Sequence, residues 1–165
     1  VNNGPSPHVR LYDARTWRDR RLFGHTRTID ALAFSDDGAV LASAGVDRTV
    51  RLWDAADGGE RGRLVGHAQE VSAVAFSPDR RAVVSAGTDG AAVVWQTGTR
   101  PHEPDDLLQL PGGGSGKGAQ SPQSLLALGV NGTGTALAGV DDLGRVRLAA
   151  VDYVPPGRKP AGPPG

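Results

Sequence analysis

The chain has no cysteine and no methionine among its 165 residues, and only 5% of them are aromatic. Without cysteine there is no disulfide framework, no thiolate nucleophile and no zinc–thiolate site, and the compartment is left open on that ground. Neither sign of charge is in excess. Eighteen Lys and Arg balance eighteen Asp and Glu, giving a formal net charge of +0 and an isoelectric point of about 7.1. Such a balance offers no broad electrostatic footprint, so neither nucleic acid nor an anionic membrane is expected as a partner. Long apolar runs are also missing: none approaches the roughly 18 to 20 residues that span a bilayer. The chain therefore reads as soluble, and a cytoplasmic location is expected. Lysine is scarce, with Lys117 and Lys159 against many arginines, and alanine, glycine and valine abound. That bias suggests a GC-rich bacterial genome. Because the sequence starts at Val1 and has no methionine, it is expected to be a piece of a longer polypeptide.

What the sequence does have is repetition. Gly24 and His25 return as Gly66 and His67, Phe34 and Ser35 as Phe76 and Ser77, Ser43 as Ser85, Asp47 as Asp89, and Trp53 as Trp95, each pair 42 residues apart. A fixed period of about 40 to 45 residues ending in an aromatic strand marks a β-propeller array, whose four-stranded blades cannot bury their faces singly. Propellers have about four to eight blades, and this length holds fewer than four. Period-two alternation, β-branched residues and turns of Asp, Gly and Pro predict an all-β chain with no helical stripe. Strands are expected at 29–34, 40–44, 50–54 and 61–65 in the first full unit, and at 71–76, 83–86, 92–96 and 107–110 in the second. Ser35-Asp36-Asp37-Gly38 and Ser77-Pro78-Asp79 supply the reversals.

Six segments follow from this reading. Residues 1–23 are a partial blade, its last two strands, because Val9-Arg10-Leu11-Tyr12-Asp13 echoes Val50-Arg51-Leu52-Trp53-Asp54 and 17–22 resembles an outer strand. Residues 24–65 and 66–110 are full repeats, and 111–123 is a flexible Gly/Ser-rich loop. Residues 124–154 form a degenerate repeat with strands at 125–130, 136–138 and 146–150, in which Ala149 stands where a tryptophan is expected. The Pro/Gly-rich 155–165 is a disordered tail with too little apolar content to form a core.

Gly24-His25 through Trp53-Asp54 and Gly66-His67 through Trp95-Gln96 resemble the WD40 repeat family. The resemblance implies a partial propeller of four-stranded antiparallel blades held by a buried hydrogen-bonded set of histidine, serine, aspartate and tryptophan. By position these are His25, Ser43, Asp47 and Trp53, then His67, Ser85, Asp89 and Trp95. The chemistry suits the need. A tight turn leaves backbone N–H groups that must be paired when buried, and an ionised aspartate accepts several of them. The serine links the histidine to the indole N–H, which also requires an acceptor in the interior.

A serine, a histidine and an aspartate within one unit also fit a hydrolase. A nucleophilic serine, however, needs exposure, an oxyanion hole and a poised base, and the same set twice at equal spacing argues for a structural device. The Gly112 to Gly118 run looks like a phosphate loop, but Pro111 replaces its leading glycine and no Ser or Thr follows Lys117. Five arginines between Arg15 and Arg27 surround Trp17, yet Asp19 interrupts them, and a solvated outer strand and loop is the expected setting. His8 and His102 lack the spaced companions of a metal site. No metal, cofactor or catalytic residue is assigned.

Because strand interiors are used in packing, recognition is expected on loops and on the rim around the central channel. The resemblance places contact positions at Thr28, Asp30 and Val46, and at Glu70, Ser72 and Thr88. Asp30 and Glu70 suit a polar or basic partner. The expected function is a non-catalytic scaffold for a protein or peptide partner, with further blades from a parent chain or from other copies. Two alternatives stand beside it. One is a sensor propeller fused to a serine/threonine kinase or a signalling NTPase, and the other is a ligand-binding or enzymatic propeller with a site in its central channel.

Overall fold

The computed structural model describes residues 6–97, 106–109, 125–130, 136–141 and 146–150. The described residues form thirteen strands and no helix. They are β1 (His8–Tyr12), β2 (Asp19–Phe23), β3 (Ile29–Phe34), β4 (Val40–Gly45), β5 (Thr49–Asp54), β6 (Glu60–Val65), β7 (Val71–Phe76), β8 (Ala82–Gly87), β9 (Ala91–Gln96), β10 (Asp106–Gln109), β11 (Leu125–Val130), β12 (Ala136–Asp141) and β13 (Val146–Ala150). Each sheet joins strands adjacent in sequence: β1-β2, β3-β4-β5-β6, β7-β8-β9-β10 and β11-β12-β13. All pairings are antiparallel. The fold is an all-β partial propeller, with two four-stranded blades flanked by a two-stranded and a three-stranded sheet.

Burial explains the sequence of the middle strands. β4 and β8 read Val-Leu-Ala-Ser-Ala-Gly and Ala-Val-Val-Ser-Ala-Gly and are buried almost throughout. Covered on both faces, such strands carry continuous small apolar residues rather than alternation. β3 lies beside β7, and β7 beside β11. Between the two full blades, Ala42, Ala44, Val50 and Leu52 pack with Val71, Val74, Val83 and Trp95. A second cluster of Val9, Leu22, Leu41 and Trp53 attaches the β1–β2 sheet to the first blade.

β3, β7 and β11 share one irregularity, a register shift near the start of the strand at Ile29/Ala31, Val71/Ala73 and Leu125/Ala127. Several strand ends differ from the sequence expectation by a residue, because ladder pairing continues into the turns. Two differences are larger. The strand expected at 136–138 continues to Asp141, paired with β11 over 137–141. The outer strand expected at 17–22 begins at Asp19, and Trp17 lies in a turn with φ 55°. There the Asp13 carboxylate accepts the N–H groups of Arg15 and Thr16, and Trp17 N–H bonds to the Asp13 carbonyl. The competing side-chain bonds hold these residues in a turn, leaving the indole 78% exposed. The 111–123 loop, the 155–165 tail and His102 lie outside the described residues.

Candidate functional site

In each full blade a chain of hydrogen bonds runs from the turn after the second strand to the tryptophan of the third. His25 Nδ1 is 2.8 Å from Asp47 Oδ2, His25 Nε2 is 2.7 Å from Ser43 Oγ, and Trp53 Nε1 donates to the same Oγ at 2.8 Å. In the second blade His67 Nδ1 lies 3.1 Å from Asp89 Oδ2, His67 Nε2 is 2.8 Å from Ser85 Oγ, and Trp95 Nε1 donates to Ser85 at 2.8 Å. The pattern is consistent with one tautomer. The imidazole donates from Nδ1 to the carboxylate and accepts at Nε2 the hydroxyl proton of a serine whose oxygen accepts the indole N–H. Ser43 and Ser85 are wholly buried, so each hydroxyl is an internal junction.

The aspartates do more than hold histidine. Asp47 also accepts Thr26 N–H, Thr49 N–H and Thr49 Oγ1, and Asp89 accepts Ala68 N–H and Ala91 N–H. Burial pushes the Asp47 carboxyl toward the neutral form, but donation from Thr49, Thr26 and His25 outweighs this and holds it below the usual carboxylate range. For Asp89, burial is likewise outweighed, by Ala91, Ala68 and His67. Each carboxylate therefore closes the loop between its own turn and the chain entering the blade.

The six rim positions fall into two equivalent groups. Thr28 and Glu70 offer their carbonyls to Val46 N–H and Thr88 N–H, both at 2.9 Å. The side chains of Thr28, Asp30 and Glu70 are exposed, and those of Val46, Ser72 and Thr88 are half-buried. Ser72 Oγ donates to the Ala86 carbonyl at 3.2 Å. Of the arginines around Trp17, Arg20 donates to the Ala56 carbonyl, and Asp19 is paired with Arg10 at 2.7 Å. His8 rests against the Phe23 ring. Among the described residues no group of three or more His, Asp or Glu could hold a metal ion, and no helix is long and apolar enough to cross a membrane.

Sequence reasoning missed four contributors. Gly45 and Gly87, also 42 apart, lie where a Cβ would run into the Thr28 carbonyl and, at Gly87, would come within 2.8 Å of Glu70 O and His67 Nδ1. Their own recurrence at the repeat spacing was the available signal. Thr49 reinforces Asp47 and has alanine as its counterpart in the second repeat, so comparing the copies for equality hid it. Arg51, with its side chain 9% exposed, pairs with Glu60 at 2.7 Å inside the first blade, whereas an isolated arginine in a sequence reads as solvated.

Stacked four-stranded antiparallel sheets, each closed by a buried His–Ser–Trp and His–Asp relay, define a β-propeller repeat protein. Residues 18–54 and 58–96 match the family described as WD domain, G-beta repeat, and these two segments are WD40 repeats. Among curated proteins it is similar to Protein Mut11 of Chlamydomonas reinhardtii, 60% identical over 37 residues, which are 22% of this chain and 10% of that protein. It is also similar to the Target of rapamycin complex subunit wat1 of Schizosaccharomyces pombe, 46% identical over 52 residues, 30% of this chain and 17% of that one. Ribosome assembly protein 4 of Chaetomium thermophilum is 40% identical over 58 residues, 35% of this chain and 9% of the relative. The chain thus matches less than a fifth of each relative's length.

Proposed function

We propose that the chain is a non-catalytic interaction platform that presents the rim of its blades to a protein or peptide. The carrying observation is that both ring nitrogens of His25 and of His67 are engaged within their own blade, Nδ1 on an aspartate and Nε2 on a serine with no exposure. The serine–histidine–aspartate sets are thereby committed to holding strands. Two relatives whose names place them in a complex or in an assembly process add support for a scaffold. In this reading the tetrads are structural and Thr28, Asp30, Val46, Glu70, Ser72 and Thr88 are the contact rim. The units are 1–23, 24–65, 66–110 and 124–154, and further blades come from a parent chain or from other copies.

A cytoplasmic setting accords with this reading. A bacterial source rests on composition alone, the three relatives described above being eukaryotic. Partner identification by cross-linking, followed by binding measurements on Asp30→Asn and Glu70→Gln, tests the rim. Weaker binding of a basic partner by either variant is expected, and parental affinity in both would refute the assignment.

A further inference from the structure

Among the described residues, three other than glycine hold a left-handed backbone: Trp17 at φ 55°, Arg48 at φ 67° and Arg80 at φ 63°. Such a conformation disfavours an L side chain and persists where packing or function holds it there. Arg80 is held within the chain, its guanidinium 2.6 Å from the Asp37 carboxylate. Arg48 is not. Its Nη1 donates to the Ala68 carbonyl at 3.4 Å, the long limit of such a bond. Among the described residues it has no carboxylate partner, whereas Arg10, Arg51 and Arg61 are paired at 2.5 to 2.7 Å. The adjacent Asp47 carboxylate is already committed to His25, Thr26 and Thr49. Repeat 2 makes the same turn with Gly90, at φ 76°, so the fold itself does not require an arginine at this place.

Arg48 is exposed at the boundary between the two full blades, against the segment of Ala68, Gln69 and Glu70, which is exposed too. The β1–β2 pair packs on the other face of the first blade, through Leu41 and Trp53, so strands completing that sheet fall away from this boundary. The main chain of the turn is closed, Arg48 N–H bonding to the Gly45 carbonyl at 3.0 Å. What it offers outward is the guanidinium, with five N–H donors in a fixed fork. We infer that Arg48 is the acid-reading position of the contact rim: it takes a carboxylate side chain of the partner peptide, while Glu70, in the segment it leans on, takes a basic one. The inference rests on the platform reading above and narrows the partner to a peptide that carries both signs of charge a few residues apart. None of Thr28, Asp30, Val46, Glu70, Ser72 and Thr88 is an arginine or an aromatic, the residue types that carry most energy at interfaces. Arg48 supplies one beside them, and its strained turn exchanges stability for recognition.

The full chain is titrated, by fluorescence anisotropy at low salt, with labelled synthetic peptides that place one Glu and one Lys at successive spacings, and with versions carrying Gln for either residue. At the best spacing the Glu peptide should bind about threefold or more tighter than its Gln version, a margin that shrinks as salt screens the pair. Arg48→Gly should erase that margin, keep the Lys margin and leave the melting temperature unchanged or raised. Arg48→Lys should retain part of the Glu margin. Glu70→Gln should do the reverse of Arg48→Gly, erasing the Lys margin alone, so failure of the rim reading and failure of this one are read separately. Equal binding of Glu and Gln peptides by the parent chain, or a Glu margin that survives Arg48→Gly, overturns the proposal. A fall in melting temperature in Arg48→Gly also overturns it, because the guanidinium would then be held by a carboxylate of its own chain or of a second copy.

Discussion

The two full repeats share a backbone plan and exchange the residues at its two most demanding turns. At the first turn, Gly38 has φ 68° in repeat 1 and Arg80 has φ 63° in repeat 2. At the second, Arg48 has φ 67° in repeat 1 and Gly90 has φ 76° in repeat 2. The left-handed conformation comes naturally to glycine and disfavours an L side chain by roughly 1 to 2 kcal/mol. Each repeat therefore carries one relaxed and one strained reversal, in opposite order. The aspartates differ as well. Asp47 gathers four donors including the Thr49 hydroxyl, and Asp89 gathers three. The period conserves the backbone, while the strength of each joint is adjusted residue by residue.

The tryptophans give the coarsest test of equivalence. Trp53→Ala and Trp95→Ala should each lower stability by about 3 to 5 kcal/mol, as large-to-small aromatic changes in cores do. Urea midpoints would show it. A loss below about 1 kcal/mol for Trp53→Ala alone would mean that the β1–β2 pair does not rest on it. Removing the carboxylates separates the repeats: each buried donor left unpaired costs about 1 to 3 kcal/mol, so Asp47→Ala should destabilise more than Asp89→Ala. Thr49→Ala should narrow that gap, and an unchanged gap would show that the hydroxyl bond carries no weight.

Acid titration tests both sets together. The carboxyls of Asp47 and Asp89 are held below their ordinary value. The stabilisation is therefore complete above the unfolded-state pKa of about 3.9 and is lost as pH falls through the lower folded value. The urea midpoint should drop below about pH 4, and less steeply in Asp47→Asn. An identical slope in that variant would remove Asp47 from the linkage. The smallest effect concerns the strained turns. Arg48→Gly should be neutral to about 1 kcal/mol stabilising and Gly38→Arg about 1 kcal/mol destabilising, and calorimetric melting of the pair would decide whether the exchange matters.

Much of this was legible because repetition labels positions. His25, Ser43, Asp47 and Trp53 could be aligned to their counterparts by number alone, and alternation marked the strands to within about a residue at most ends. What escaped depends on neighbours distant in sequence. Leu32 and Val74 look the same on paper, but among the described residues a covering hairpin lies over Val74 alone. Trp17 reads in the sequence as a strand residue, but Asp13 draws the following N–H groups into a turn. Arg51 became a buried group because Glu60, nine positions on, folds back beside it.

One contact between the repeats remains. Arg80, strained at its turn, reaches Asp37 of the preceding repeat at 2.6 Å, and Ser35, Ala39 and Arg80 together hold the Asp37 carboxyl down to about 2. The position matching Arg80 in repeat 1 is Gly38, and the one matching Asp37 in repeat 2 is Asp79. If the two units were transposed, Asp79 would face a glycine and the clasp would vanish. An array that looks self-similar thus has a polarity written into it.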